Sequence, residues 1–406
     1  MNFKVSTLPL GIVFLLAMIK VGALTESFPH SANSGSKPQV HFRYIPNDGL
    51  IYQNDAGTFE AAMNFLLKAD IASINGSNSL PGGTNIPMAK FYLSGYYYQG
   101  IYGFSYDAAA LYLKKIKNLY VGYTWSHANL QIGQSSPYFG LENSASDNAL
   151  TFLQFALPVL AFSTSYNMGV GLNANTKVFS VSLAVFGPRI GSHTKGTTPI
   201  GETLRAVYSP WHSNGHVLDI GGSLWQQGTD NDQQVSFSAM PEVQPLNKGT
   251  LVDTGTITQA RNYYLGNLEF ASVYHSFEAQ GEYFKSWVER TQNLSTLSFS
   301  GFYATANYFL TGESMLYNYP TGYFIGITPI KHSYGAWQIA VRYSTLDLND
   351  NDIQGGKETD YTAGLNWYLN QHVELMFNYI FGLARPDDNG KNKTLNIYAA
   401  QLQLYF

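Results

Sequence analysis

The chain has 406 residues and a formal net charge of −4; 45% of residues are apolar, only 12% are charged, and it holds 30 Tyr, 25 Phe, 38 Gly and no Cys. The missing cysteine rules out disulfides, thiolate nucleophiles and cysteine metal sites. The charged fraction is half the roughly 25% of a typical soluble chain, with neutral polar residues, aromatics and glycine filling the gap.

Residues 1–23 read as a cleaved signal peptide. Lys4 supplies the positive start, Leu8 to Ile19 an apolar core of 12 residues, and Val21-Gly22-Ala23 the small residues of a cleavage site. The core is short of the roughly 20 residues of a spanning helix. Cleavage removes Lys4 and Lys20 and takes the net charge from −4 to −6. No later stretch reaches 18 consecutive apolar residues, so no transmembrane helix is expected.

Residues 24–37 form a leading segment. From there on, period-two alternation recurs. It predicts strands at 38–46, 89–99, 102–113, 119–126, 129–134, 165–173, 177–187, 201–210, 216–227, 262–272, 276–289, 298–311, 335–346, 359–369, 372–383 and 395–406. The segment "TFEAAMNFLLKAD" within 47–87 fits either a short helix in a loop or a further strand. In "HVELMFNYIF", Val373, Leu375, Phe377, Tyr379 and Phe381 oppose His372, Glu374 and Asn378. The connections alternate long and short, with 312–334 breaking the rule by being long where a short one is due.

Long loops on one side and short turns on the other suit a transmembrane antiparallel β-barrel of about 16 strands. Lipid offers no partner to backbone N–H and C=O groups, so a spanning sheet must close on itself. Its outer face must be apolar, and its inner face can be polar around water. Residues 38–406 are expected to form this barrel.

Several stretches resemble the phosphate-selective porin family of Gram-negative outer membranes: "NLQIGQSSPYFGLENSASDNALTFLQFALP", "LRAVYSPWHSNGHVLDIGGSL", "GFYATANYFLTGE" and "GAWQIAVRYSTLDLND" with "YTAGLNWYLNQHVELMFNYI". The resemblance implies an all-β barrel of sixteen strands, a homotrimer, and an external loop at 135–164 folded into the pore as a constriction. It also implies the final aromatic as an assembly signal. At the family's basic positions this chain keeps Lys90 after Ala89, but has Asn143 and Asn148 for two lysines and Gln154-Phe155 for a Glu-Arg pair. Lys117 stands where the family has an acid. The constriction loop thus carries Glu142 and Asp147 and no positive charge, which argues against a high-affinity phosphate site.

Alternation points Arg43, Lys90, Arg205, Arg342, Asp107, Glu269, Glu278, Glu282 and Glu374 into the lumen. They serve either as plain solvated wall residues or, through Arg43, Lys90 and Arg205, as a weak anion path. Lys114, Lys115 and Lys117 form an expected external basic patch, which fits anion funnelling or contact with lipopolysaccharide phosphates. Asp347, Asp350 and Asp352, with Asp360 nearby, read as a solvated external loop. His212 and His216 have i,i+4 spacing, but in a predicted turn, where it makes no metal pair. No G-x-S-x-G motif or phosphate-cradling glycine loop occurs. The reading is therefore a non-catalytic porin passing small hydrophilic solutes, anions among them. The expected setting is outer-membrane lipid and lipopolysaccharide, with no cofactor, metal or nucleic-acid partner. The alternative is a structural or adhesive barrel contacting lipopolysaccharide, host or partner protein.

Overall fold

The computed structural model describes residues 40–45, 49–76, 82–110, 114–163, 166–213, 215–244, 249–385 and 392–406. The expected signal peptide and the leading segment lie outside the described residues. The chain opens on a hairpin, β1 (Val40–Ile45) and β2 (Gly49–Asn54). The first long strand follows, β3 (Phe59–Asn75), then β4 (Gly83–Tyr97), β5 (Gly100–Asp107), β6 (Ile116–Trp125) and β7 (Ala128–Ser135). A short helix, α1 (Leu157–Phe162), precedes β8 (Asn167–Asn175), β9 (Phe179–Phe186), β10 (Gly201–Ser213) and β11 (His216–Gly228). A two-residue pair, β12 (Ser238–Ala239) and β13 (Val252–Asp253), leads to β14 (Ala260–Tyr274), β15 (Phe277–Arg290) and β16 (Leu297–Phe309). A small hairpin, β17 (Met315–Asn318) and β18 (Tyr323–Ile327), separates these from β19 (Ala336–Asp350), β20 (Ile353–Asn370), β21 (Val373–Arg385) and β22 (Lys393–Tyr405).

Sixteen of these strands, β3–β11, β14–β16 and β19–β22, pair antiparallel with their neighbours, and β22 pairs back onto β3, from Asn396↔Asn75 to Tyr405↔Leu66. The ring is closed, so it has no unpaired edge to expose to lipid. Strand β3 shares one edge between two partners: β2 takes Glu60 to Met63, and β22 takes the rest. Phe65 and Phe406 exchange backbone hydrogen bonds of 2.7 and 2.9 Å at the junction. The "TFEAAMNFLLKAD" segment is therefore the first ring strand. Residues 40–45 do form a strand, but it pairs only with β2 and stands outside the ring.

Alternation fixes which face looks where. On β14, Leu268 and Phe270 are exposed outside while Asn267 and Glu269 are buried inside; on β19, Ile339 and Val341 face out while Gln338 and Arg342 face in. The sheet is inverted relative to a soluble core, apolar outward and polar inward, the order a lipid-embedded sheet needs. Aromatics gather at the lower rim, the end reached by β22. Trp337 stacks on Trp367 at 5.0 Å, and Phe406 on His372 at 5.4 Å.

The wall is uneven. β5, β7 and β9 have eight residues each, β8 nine and β6 ten, whereas β14–β16 and β19–β22 have 13 to 18. The lower rim has tight turns, where His275 at φ 53° takes the left-handed conformation that a two-residue hairpin demands. The long lower connection is 310–335. At the upper rim the expected 347–358 loop is instead a turn at 351–352, because β19 and β20 run on to Asp350 and Ile353. Asp360 consequently sits on β20 with its side chain inward, fully buried, and not in an external loop.

Candidate functional site

Three segments fold into the ring and contact its inner wall. Segment 136–163 enters from the upper rim after β7. Gly140 N–H donates to Ser223 Oγ at 3.1 Å, and Leu141 and Glu142 N–H donate to the Glu282 carboxylate at 2.6 and 2.9 Å. Leu157 N–H reaches Ser344 Oγ at 3.0 Å, and Asn366 Nδ2 donates to Thr151 O at 2.8 Å. With no capping side chain on Ala156, its N–H donates to Glu142 Oε2 at 2.9 Å, and Pro158 in the first turn needs no N–H partner. Phe139, Phe162 and Leu157 pack with Trp225, Phe284 and Phe299 into a cluster inside the barrel. Polar inner wall is thus covered by loop backbone that supplies its hydrogen-bond partners.

Residues 229–244 fold in beside it and bring Glu242. That carboxylate accepts Arg342 Nη2 at 2.6 Å, Arg342 Nε at 3.0 Å and Thr362 Oγ1 at 2.8 Å. Segment 310–335 enters from the lower rim. Its Thr321 and Gly322 carbonyls accept from Arg205, Pro320 O accepts from Ser180 Oγ at 2.8 Å, and Phe324 O accepts Ser146 N–H at 3.0 Å. The two opposed insertions thus touch. Gly322 (φ 73°) lets the tip approach the wall: a Cβ there would lie 3.2 Å from Val207 and 3.4 Å from Arg205.

Charged side chains strap these segments to the wall. Lys90 Nζ donates to Asp147 at 2.6 Å and to Tyr166 OH at 3.1 Å, and Tyr92 OH donates to Asp147 at 2.7 Å. Arg342 reaches Glu142 Oε1 at 3.4 Å and Gln154 O at 3.0 Å. Arg205 makes a bidentate pair with Glu269, with 2.7 Å for the shortest contact. Burial drives the Asp147 carboxyl up, but Lys90 and the bonds from Lys90 and Tyr92 outweigh it and hold it down to about 2. Burial pushes Glu142 up to about 7; Glu282 and Glu242 add to this, against Arg342.

Lys90, Arg205, Arg342, Asp107, Glu269, Glu278, Glu282 and Glu374 are all buried on the inner side. Arg43 is not on a ring strand: it sits on β1, half exposed, 4.0 Å from Glu60. The three lysines do not form one external patch. Lys114 is exposed and Lys115 lies over the Tyr106 ring, but Lys117 belongs to β6 and turns inward to Asp107 at 3.6 Å. Asn143 Nδ2 donates back to Phe139 O, and Asn148 O accepts from Gln403 at 3.5 Å. Sequence reasoning missed Lys68 and Asp70 on β3, Glu358 on β20, and Glu242. The inward run Leu66, Lys68, Asp70, Ala72 was visible as alternation; Glu242, in an aperiodic loop, had no such signal.

The comparisons agree with this geometry. The family described as phosphate-selective porin O and P matches residues 62–406. Porin O of Pseudomonas aeruginosa is 22% identical over 298 residues, 66% of this chain and 68% of that protein. Among solved structures, an anion-selective porin from Comamonas acidovorans has a TM-score of 0.56 at 11% identity, covering 86% of this chain and all of that one. OmpT of Vibrio cholerae in its trimer form has a TM-score of 0.54 at 8% identity, with 86% and 100% covered. These two share the fold alone. Because the family match spans nearly every described ring strand, this chain belongs to the phosphate-selective porins, and it is an outer-membrane channel for small solutes.

Proposed function

We propose that the channel works by passive diffusion, without catalysis, through the space left between the inner wall and its three inserted segments. Segment 136–163 acts as the constriction, and Lys90, Arg205, Arg342, Asp107, Glu269, Glu278, Glu282 and Glu374 act as wall residues. The observation that carries this is the double strapping of one segment across the lumen, by Asp147 to Lys90 on β4 and by Glu142 to Arg342 on β19. A segment tied to two different strands of the wall leaves a narrow path whose width is set by its straps.

We also propose a homotrimer formed through the low wall. There Val121, Ile132 and Leu119 are exposed on short strands, and a related fold, OmpT of Vibrio cholerae, has a trimer form. Lipid, with lipopolysaccharide above it, would meet the remaining outer face.

The test is single-channel recording of the purified protein in planar bilayers. Discrete conductance steps are expected, and Glu142→Ala with Asp147→Ala should enlarge them by freeing the strapped segment. Steps of unchanged size would remove the segment from the constriction role. A silent bilayer would favour the structural or adhesive barrel.

A further inference from the structure

The outer wall is hollowed beside the seam where β22 meets β3. A groove of about 820 Å3 crosses it, lined by Ala69 and Ile71 of β3, Ala400 and Leu402 of β22, Ile86 of β4, and Ala109 just after β5. It merges with a second hollow of about 920 Å3 at Ile71 and Ala400. These side chains belong to the outer face, because Lys68, Asp70, Ala399 and Gln401 between them are buried on the inner one.

An open strand edge borders the groove. β5 pairs with β4 only from Lys90↔Asp107 to Tyr97↔Gly100, while β4 runs on above it to Gly83. Among the described residues no strand meets Gly83 to Met88 on that side. Pro87 stands in this stretch, where its missing N–H breaks no ladder. Lipid chains offer such an edge no hydrogen-bond partner, whereas a protein neighbour does.

Three strands on from β3, β6 has the opposite relief. Leu119, Val121, Tyr123 and Trp125 all point outward, each 41 to 63% exposed. Groove and ridge flank the same part of the low wall, since Ala109 follows β5 and β6 pairs with β5. Sixteen strands divide the ring at about 22° each, so β3 and β6 look out about 67° apart. From any subunit of a closed trimer the two neighbours lie about 60° apart; a tetramer needs about 90°, and a two-fold dimer uses one patch twice. In lipid the gain from such a contact is packing, so a protruding side chain needs a hollow to enter.

We propose that the groove over β22, β3 and β4 receives the β6 ridge of a second copy of this chain, and that this contact repeats three times around one axis. The proposal rests on the trimer reading and names the surface that the low wall of each subunit meets.

The chain holds no cysteine, so introduced thiols are the only ones present. The experiment is cross-linking of the purified protein carrying Val121→Cys with Ala400→Cys by a short bifunctional maleimide, read on a denaturing gel. A covalent trimer is expected from the double variant, and monomer alone from each single variant. Covalent dimer from Val121→Cys alone would mean that the low walls face each other, and overturns the proposal. So does a double variant that sizes as a trimer but does not cross-link, the outcome expected if lipid fills the groove. A wild type that sizes as a monomer by light scattering removes the trimer reading and the proposal with it. If the double variant lacks the heat-resistant folded form on gels, Ala400→Trp decides. Filling the groove should abolish the trimer, while Ala304→Trp on the outer face of β16 should keep it; a trimer that survives Ala400→Trp overturns the proposal.

Discussion

The two sides of the lumen treat a buried carboxylate in opposite ways, although both act on the same inserted segment. On the side of β3, β4 and β6, Asp147 meets Lys90 and the Tyr92 hydroxyl, with Lys117 and Lys68 nearby. On the tall side, Glu142 shares one guanidinium with Glu242 and lies near Glu282. Two acids five residues apart therefore end up on either side of their ordinary range, at about 2 and about 7. Burial is common to both; the charges around each carboxylate, lysines for Asp147 and two further acids for Glu142, decide the sign. The β4 side is a strap that gains from charge, and the β19 side is a crowd of acids sharing too few bases.

The largest expected effect follows from breaking the strap. Lys90→Ala leaves Asp147 with a hydroxyl but no cation bonded to it, and should cost about 4 kcal/mol in denaturant titration of the barrel in lipid vesicles. Glu142→Gln on the crowded side should cost less than about 1 kcal/mol. The amide oxygen still accepts Ala156 N–H, and one charge leaves the neighbourhood of Glu282 and Glu242. Equal losses from the two variants would erase the distinction between the sides.

How much of this was legible in sequence follows from where periodicity reaches. Lys90, Arg205 and Arg342 could be pointed inward because a strand allows each residue one of two faces. Lys68 and Asp70 were harder, because the lower part of β3 carries apolar residues on both faces: Ala61 and Met63 beside Ala62, Leu66 beside Leu67. Next to a hairpin that covers its edge, such a strand reads as a helix. The upper end of β19 and β20 misled in the other direction. Its Asp and Asn residues look like a loop, yet they serve a hairpin, with Asp347 accepting Asn349 N–H and Asn349 accepting Gly356 N–H. Glu242 and the turn of segment 310–335 into the barrel were beyond pattern reading. Tertiary contact alone places a loop side chain, and the broken long–short rule marked the segment without giving its direction.

The walls can be compared from the lipid side as well. Leu268 is 67% exposed on the tall wall and Val121 is 63% exposed on the low wall, each near the middle of its strand. Leu268→Arg should destabilise the barrel by about 3 kcal/mol in vesicle refolding, the price of a cation at the bilayer midplane. Val121→Arg should instead shift the detergent-solubilised species from trimer to monomer on a sizing column with light scattering. Loss of the trimer from Leu268→Arg, or its persistence with Val121→Arg, would move the subunit contact to the tall wall.

The smallest effect separates the two carboxylates by pH. Asp147 is held below its ordinary value, so its share of stability is present above about pH 4 and is lost as pH falls through about 2, by about 2 kcal/mol in all. Glu142 is held above its ordinary value. Its folded form keeps an extra proton from about pH 4.5 to about 7, so its contribution declines as pH rises through that window. Above about pH 7 the ionised Glu142 adds a negative charge to the constriction, and cation permeation should rise with a midpoint near neutrality. Reversal potentials recorded from acid to alkaline buffer read this directly. Glu142→Gln should flatten the neutral step, and Asp147→Asn should leave it in place, because Asp147 is already ionised on both sides of it. A neutral step that survives Glu142→Gln would assign the titration to another lumen carboxylate and dissolve the contrast between the two straps.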